Sequence, residues 1–124
     1  MTRVLVADDD REVRELIIFA LRFAGHEVLG ASNGEEAVSL AKQSIPDLIL
    51  LDVRMPKMSG YDSCKALKAD RDTASIPVIF ISARGQDTEV QAGLNAGAID
   101  YIPKPIALDR LIEKVKFHLD NSTK

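Results

Sequence analysis

The sequence has little of several features that define other classes of protein. Its 124 residues include one cysteine, Cys64, so an internal disulfide framework and a cysteine metal site are both excluded, as is usual in a reducing compartment. The first apolar run has only about five residues, too few for a signal-peptide core or a membrane span. We therefore expect a cytoplasmic protein that does not contact a membrane.

An excess of positive charge is also missing. The chain has 16 lysine and arginine residues against 19 aspartate and glutamate residues, for a formal net charge of -3. A protein that neutralises many phosphates normally presents a clustered basic face, so we expect no direct binding of nucleic acid. Hydrophobic residues make up 46% of the chain and charged residues 28%, which is ordinary for a globular protein. The length suits one domain, predicted over residues 1–120 with a polar tail at 121–124.

Short apolar runs alternate with helical patterns along the whole chain. The predicted strands are Val4 to Ala7, Val28 to Ala31, Leu48 to Leu51, Val78 to Ile81 and Ile99 to Ile102. This alternation predicts parallel strands joined by right-handed crossovers, with helices on both faces of the sheet. The first, third and fourth runs are continuously apolar and belong in the centre, whereas Gly30, Asp100 and Tyr101 suit edge strands. The prediction is a doubly wound α/β fold with strand order 2-1-3-4-5.

Individual residues predict where the helices begin and end. Gly25 should stop the first helix, and Ser32 with Glu35 is typical of a capping box that opens the second. The fourth helix, predicted over Thr88 to Ala96, contains Gly93, which costs up to about 1 kcal/mol relative to alanine. This segment is therefore expected to have little helical stability of its own.

The chemistry-bearing residues follow the strands. Asp8-Asp9-Asp10 ends the first strand, Asp52 the third and Ser82 the fourth, while Lys104 follows the fifth. In this strand order a ligand crevice opens at the carboxyl ends, between the first and third strands. Neighbouring strands lie about 4.8 Å apart, so the carboxylates can share one ligand. A tight acidic cluster is either a metal site or a pair of acids with shifted pKa values, and its oxygen ligands favour Mg²⁺.

A phosphoryl group is the natural substrate of such a cation site, because Mg²⁺ leaves coordination positions for phosphate oxygens. Lys104 lies roughly 10 Å from Asp52 at the backbone, within reach of its long side chain. The Ser82 hydroxyl, placed between them, can donate to a phosphoryl oxygen. Asp52 can serve as the nucleophile that accepts the group.

Four segments resemble the receiver domains of two-component response regulators, and the resemblance covers essentially the whole chain. The segments are Val6-Ala7-Asp8-Asp9, Leu51-Asp52-Val53-Arg54-Met55-Pro56-Lys57-Met58-Ser59-Gly60, Ile81-Ser82-Ala83 and Asp100-Tyr101-Ile102-Pro103-Lys104-Pro105. Each occurs in the expected order at the expected strand end. The resemblance implies the flavodoxin-like fold and a phosphoacceptor signalling domain that is not an enzyme, although it assists its own phosphorylation and dephosphorylation.

The resemblance also implies partners and a cation. A sensor histidine kinase or phosphotransfer protein would transfer its phosphoryl group to Asp52, the site of phosphorylation. Asp9, Asp52 and the backbone carbonyl of Arg54 would ligate Mg²⁺, with Asp8 acting mainly through metal-bound water. The receiver would control an output protein or effector domain, as a monomer or as a phosphorylation-dependent dimer.

Other family positions concern binding of the product and switching. Lys104 and Ser82 would bind the phosphoryl group, and movement of Ser82 would be coupled to an inward turn of Tyr101. That turn would alter the surface made by the fourth helix, fifth strand and fifth helix, where a weak fourth helix is suitable. The Lys104-Pro105 bond is cis in the family, so the resemblance implies that Pro105 is a cis-proline. Arg54 and Arg84 occupy variable positions expected near the phosphoryl group, with an effect on acyl-phosphate lifetime.

Simpler roles are preferred for four residues. Asp10 is expected to cap the first helix, and Cys64 to be a buried small hydrophobe. His26 and His118 are expected at the surface without partners.

Three other interpretations compete with a receiver domain that stands alone. A haloacid dehalogenase-type phosphatase also uses Asp-x-Asp, but it needs Thr or Val where this chain has Glu12. A nucleotide or flavin binder would need a glycine-rich loop after the first strand, where acidic residues stand instead. The chain could also be the receiver portion of a larger regulator.

Overall fold

The computed structural model describes residues 2–82 and 87–122 as a five-stranded parallel sheet flanked by helices. The strands are β1 (Arg3–Ala7), β2 (Glu27–Ala31), β3 (Leu48–Asp52), β4 (Val78–Ser82) and β5 (Asp100–Pro103). The helices are α1 (Arg11–Phe23), α2 (Gly34–Ser44), α3 (Gly60–Ala69), α4 (Asp87–Asn95) and α5 (Leu108–Ser122). The sheet order is β2-β1-β3-β4-β5, which confirms the predicted doubly wound topology.

The two faces of the sheet bury separate sets of side chains. Alternate residues of each strand point to opposite faces, so Val4 and Val6 of β1 pack towards α1 and α5, whereas Leu5 and Ala7 pack towards α2 and α3. All residues of β3 and β4 are buried, as expected of strands covered on both sides. The carboxyl ends of β1, β3 and β4 therefore meet at one edge of a rigid sheet.

Several local predictions are confirmed. Asp10 caps α1, and its carboxylate accepts hydrogen bonds from the amides of Glu12 and Val13. Gly25 follows α1 with a φ of 100°, a conformation that favours glycine. Cys64 is fully buried, and burial raises the pKa of its thiol despite the nearby Lys68.

The predicted capping box of α2 is wrong by one residue. Asn33, not Ser32, is the N-cap, and its side chain accepts a hydrogen bond from the Glu36 amide at 2.8 Å. The carboxylate that reaches back belongs to Glu36, not Glu35, and accepts from the Ser32 amide at 2.6 Å. Asparagine caps as well as serine does, so the two adjacent candidates compete on equal terms.

The last helix continues further than its apolar pattern indicates. α5 runs to Ser122, two residues into the segment predicted as a polar tail, and the Asn121 side chain donates to the Phe117 carbonyl at 2.7 Å. Across the described parts of the chain, no helix combines the length and apolar character needed to cross a membrane.

Candidate functional site

Asp52 is the last residue of the central strand β3. β3 lies between β1 and β4, and Asp52 pairs in register with Ile81. The next residue, Val53, donates its amide to the Ile81 carbonyl at 3.0 Å and accepts from the Gly60 amide at 2.9 Å, which closes the loop onto α3. These bonds hold Asp52, a residue that is only 5% exposed, at the carboxyl end of the sheet.

The turn between β1 and α1 carries the other acidic residues. Asp8 is completely buried; its amide donates to the Ala31 carbonyl of β2 at 3.1 Å, and its Oδ1 accepts from the Asp10 amide at 2.9 Å. Asp9, between them, is exposed. The turn thus presents one buried and one exposed carboxylate, while the third is used as a helix cap.

Three carboxylates meet at this edge. Asp8, Asp9 and Asp52 each place an oxygen within 4.8 Å of the others. Lys104 Nζ, from the residue after β5, lies 3.2 Å from Asp8 Oδ2 and 3.5 Å from Asp52 Oδ1. The lysine therefore spans β4 and reaches both buried acids, as its length predicts.

The charges in this cluster shift the pKa values of its members. Burial and the neighbouring Asp8 and Asp9 raise the pKa of Asp52 to about 7, although Lys104 acts in the opposite direction. Burial disfavours the charged form of Lys104, but Asp52 and Asp8 outweigh it and raise the lysine pKa. The cluster thus holds more negative charge than one lysine compensates.

The donor atoms fit a hard divalent cation. All three candidate ligands are carboxylate oxygens, which Mg²⁺ prefers. Asp8 Oδ2 is buried and, apart from its ion-pair contact with Lys104, has no hydrogen-bond partner among the described residues. An acceptor left in this state is costly, and a cation or its water would satisfy it.

Ser82 and Arg54 lie at the same edge. Ser82 is the buried last residue of β4, and its carbonyl accepts from the Lys104 amide at 2.7 Å. Arg54 follows β3 with an exposed side chain and lines an open groove together with Asp9 and Tyr61. The Lys104–Pro105 peptide bond is cis. Arg84, expected near the phosphoryl group, lies outside the described residues.

Tyr101 belongs to a second polar cluster on the edge strand β5. Lys114 Nζ lies 5.4 Å from the centre of the Tyr101 ring and donates to the Tyr101 carbonyl and to Asp100 Oδ1, both at 2.9 Å. His118 Nε2 lies 2.8 Å from Asp100 Oδ2. Burial alone would raise the pKa of Asp100, but His118 and Lys114 outweigh it and lower that pKa.

The expectation that both histidines lack partners is therefore wrong. His118 pairs with Asp100, and the ring of His26 is hydrogen-bonded to the hydroxyl of Thr2. Lys114 and His118 are four residues apart on α5, so the helical period places both on the face that meets β5. That spacing was a usable signal in the sequence.

A family model described as the response regulator receiver domain matches residues 4–116. The chain belongs to this family. It is 41% identical over 121 residues to the response regulator MprA of Mycolicibacterium vanbaalenii, a match that covers 98% of this chain and 52% of that protein. The chain thus spans about half the length of the curated relatives it matches.

Solved structures give the same result. The receiver domain of the Francisella response regulator 1452 is 31% identical, with a TM-score of 0.92 over 99% of this chain and 100% of that one. The receiver domain of a signal transduction histidine kinase from Syntrophus aciditrophicus is 33% identical, with a TM-score of 0.92 over 100% and 94%. The chain is thus a two-component receiver domain and not a classical enzyme such as a haloacid dehalogenase-type phosphatase.

Proposed function

We propose that Asp52 accepts a phosphoryl group from a phosphohistidine on a sensor histidine kinase or phosphotransfer protein. The observation that carries this proposal is the meeting of three carboxylates within 4.8 Å at the strand ends, with Lys104 touching two of them. In the transfer the phosphorus–nitrogen bond to the donor histidine breaks as a bond to an Asp52 oxygen forms. The leaving imidazole takes up a proton, and the product is an acyl phosphate.

The chain contributes positioning and charge. Asp9, Asp52 and the Arg54 carbonyl would ligate Mg²⁺ directly, and Asp8 would hold metal-bound water. Magnesium, when bound, neutralises the carboxylates and the incoming phosphoryl oxygens, which keeps Asp52 ionised at neutral pH. Lys104 contacts Asp52 Oδ1 and would hold a phosphoryl oxygen there, while Ser82 would donate its hydroxyl to another.

Labelling with acetyl phosphate or beryllofluoride tests this assignment. The wild-type protein should be modified only when Mg²⁺ is present, and Asp52→Asn should not be modified under either condition. Asp72→Asn, which removes an exposed carboxylate elsewhere, is the control and should behave as wild type. Equal modification of the wild type and Asp52→Asn, measured by intact mass, would sink the assignment.

We further propose that phosphorylation changes the surface formed by α4, β5 and α5, which then binds an output partner. The half-buried Tyr101 supports this proposal, because its ring packs against the same core cluster as α2 and α3, and Lys114 Nζ lies 5.4 Å from the ring centre. Ser82 ends β4, in register with Pro103, two residues beyond Tyr101. A shift of Ser82 towards a phosphoryl oxygen would therefore displace residues of the adjacent edge strand β5.

Amide hydrogen exchange before and after beryllofluoride addition tests the switch. Exchange rates should change in α4 and β5 and remain constant in α2, which packs against β1 and β2 at the other end of the strand order. Unchanged exchange in α4 and β5 would contradict the proposed output surface.

We also propose a cytoplasmic location, the lack of direct nucleic acid or membrane binding, and a monomer or phosphorylation-dependent dimer. Sedimentation of the unmodified and the phosphorylated protein would distinguish a monomer from a phosphorylation-dependent dimer.

A further inference from the structure

Arg14 forms hydrogen bonds to both ends of the turn that carries the acidic residues. Its guanidinium Nη1 donates to the Asp8 carbonyl at 2.8 Å, and its backbone amide donates to the Asp10 carbonyl at 2.9 Å. Asp9 lies between these two anchored residues. One residue of α1 therefore restrains the backbone from which two of the three clustered carboxylates project.

The side chain of Arg14 reaches this position across strand β2. A methyl group added to Gly30 of β2 would come within 3.5 Å of Arg14 Cδ and 2.9 Å of Ile18 Cδ1. The arginine stem therefore lies over the glycine, in space that a larger residue would fill. The sequence pattern associates Gly30 only with an edge strand. Its lack of a side chain also leaves room for the aliphatic part of the Arg14 side chain.

We propose that Arg14 is a positioning residue for the cation site and that it acts through the β1–α1 turn without touching the ion. The inference rests on the proposed function, in which Asp8 and Asp9 help to bind Mg²⁺. Without the ion these carboxylates repel each other, so a flexible turn would let them move apart. A guanidinium is always charged and offers a rigid set of donors, which suits it to hold a carbonyl in one place.

The sign of the effect separates positioning from simple electrostatics. Arg14 carries a positive charge close to a site for a cation, so removal of that charge should strengthen cation binding if only Coulomb forces matter. Loss of a positioning contact should weaken cation binding instead. A substitution that removes the guanidinium therefore has opposite expected outcomes under the two explanations.

The experiment is an NMR titration of the ¹⁵N-labelled protein with MgCl₂, following the amides of Asp9 and Asp52. Arg14→Met keeps the apolar stem and should weaken Mg²⁺ binding about tenfold, as is usual when a contact behind a metal ligand is lost. Arg14→Lys keeps the charge but has fewer hydrogen-bond donors, so its Mg²⁺ affinity should fall between those of the wild type and Arg14→Met. Arg11→Met removes a charge that pairs with Glu15 on the exposed face of α1, and should leave the affinity for Mg²⁺ unchanged.

A second measurement excludes a general loss of structure. The modification of Arg14→Met by acetyl phosphate should be slow at low Mg²⁺ and return to the wild-type rate at saturating Mg²⁺, because mass action restores the occupied site. A rate that stays low at saturation, or an Arg14→Met affinity equal to or tighter than wild type, would overturn the inference. If the wild type binds no Mg²⁺ at all, the proposed function fails first.

Discussion

At the scale of single residues, the charge state of Asp52 depends on charged groups that follow two other strands, β1 and β5. Without a cation, burial and the adjacent Asp8 raise the pKa of Asp52 to about 7, and Lys104 partly offsets this rise. A neutral carboxyl group is a poor nucleophile. The same negative charge that attracts a cation thus keeps Asp52 partly protonated until the cation binds.

Substitution of Lys104 tests this balance. Lys104→Met removes a cation that contacts Asp52, so the Asp52 pKa should rise above about 7, whereas Asp8→Asn removes a repelling charge and should lower the Asp52 pKa. The measurement is a pH titration of the ¹³C-labelled carboxyl groups by NMR in Mg²⁺-free buffer. Lys114→Met, whose ammonium group pairs with Asp100, is the control. An Asp52 pKa that does not move in Lys104→Met would refute the proposed coupling.

Sequence reasoning succeeded for residues whose position follows from a strand end and failed for those that depend on packing across elements. The end of an apolar run located Asp52, and the length of lysine predicted the reach of Lys104. Arg14 was missed, because its bond to the Asp8 carbonyl depends on a path over Gly30 that exists only once β2 lies beside β1. Similarly, the pairing of His118 with Asp100 depends on the packing of α5 against β5.

At the scale of elements, the cap of α1 has a measurable role in stability. Asp10 accepts hydrogen bonds from the Glu12 and Val13 amides at 3.0 and 3.3 Å. Asp10→Ala should therefore lower the free energy of unfolding by about 1 kcal/mol, and Asp10→Asn, which can still cap, should lower it less. Urea unfolding measures both variants. Equal losses in the two would show that the side-chain cap is not the cause.

Gly93 makes a second prediction at this scale, because helix propensity and packing oppose each other there. Propensity alone predicts that Gly93→Ala stabilises α4 by up to about 1 kcal/mol. A methyl group at this position, however, would lie 2.6 Å from Cδ2 of the buried Phe80 ring. We therefore expect Gly93→Ala to destabilise the protein by about 1–3 kcal/mol, as overpacked cores do.

A double-mutant cycle with Phe80→Leu identifies the cause. In the Phe80→Leu background the cost of Gly93→Ala should shrink, because the ring that the methyl group meets is gone. Urea unfolding of the four proteins gives the coupling. A Gly93→Ala protein more stable than wild type would contradict the packing explanation. The sequence identified α4 as intrinsically weak; the structure gives the packing reason for its glycine.

At the scale of the whole molecule, the sheet order followed from the sequence because each strand has a distinct apolar pattern. Continuous runs in β1, β3 and β4 require cover on both faces, and Asp100 with Tyr101 confined β5 to an edge. The division of the core into two faces also follows from the alternation along each strand. The helix boundaries did not follow in the same way. At the start of α2, Ser32 and Asn33 are both residues that can cap the first turn, so the pattern alone does not choose between them.

The molecule as a whole should be destabilised by its own functional site, in a manner that depends on pH. The Asp52 pKa is raised from 3.8 to about 7, so between these values the native state holds a proton that the unfolded chain has lost. Stability contributed by this proton is present below about pH 4 and is lost as the pH rises through 7. Above pH 7, the native protein contains a buried, poorly compensated carboxylate.

Asp52→Asn removes this charge and should be more stable than wild type by about 4 kcal/mol at pH 8 without Mg²⁺, with a difference that narrows towards pH 4. Saturating Mg²⁺ should also narrow the difference at pH 8, because the cation binds the native wild type more tightly than the variant. Urea unfolding across the pH range measures both effects. Asp62→Asn, which removes an exposed carboxylate on α3, should show no comparable trend. A difference between Asp52→Asn and wild type that is independent of pH would mean that the Asp52 pKa is not raised by the fold.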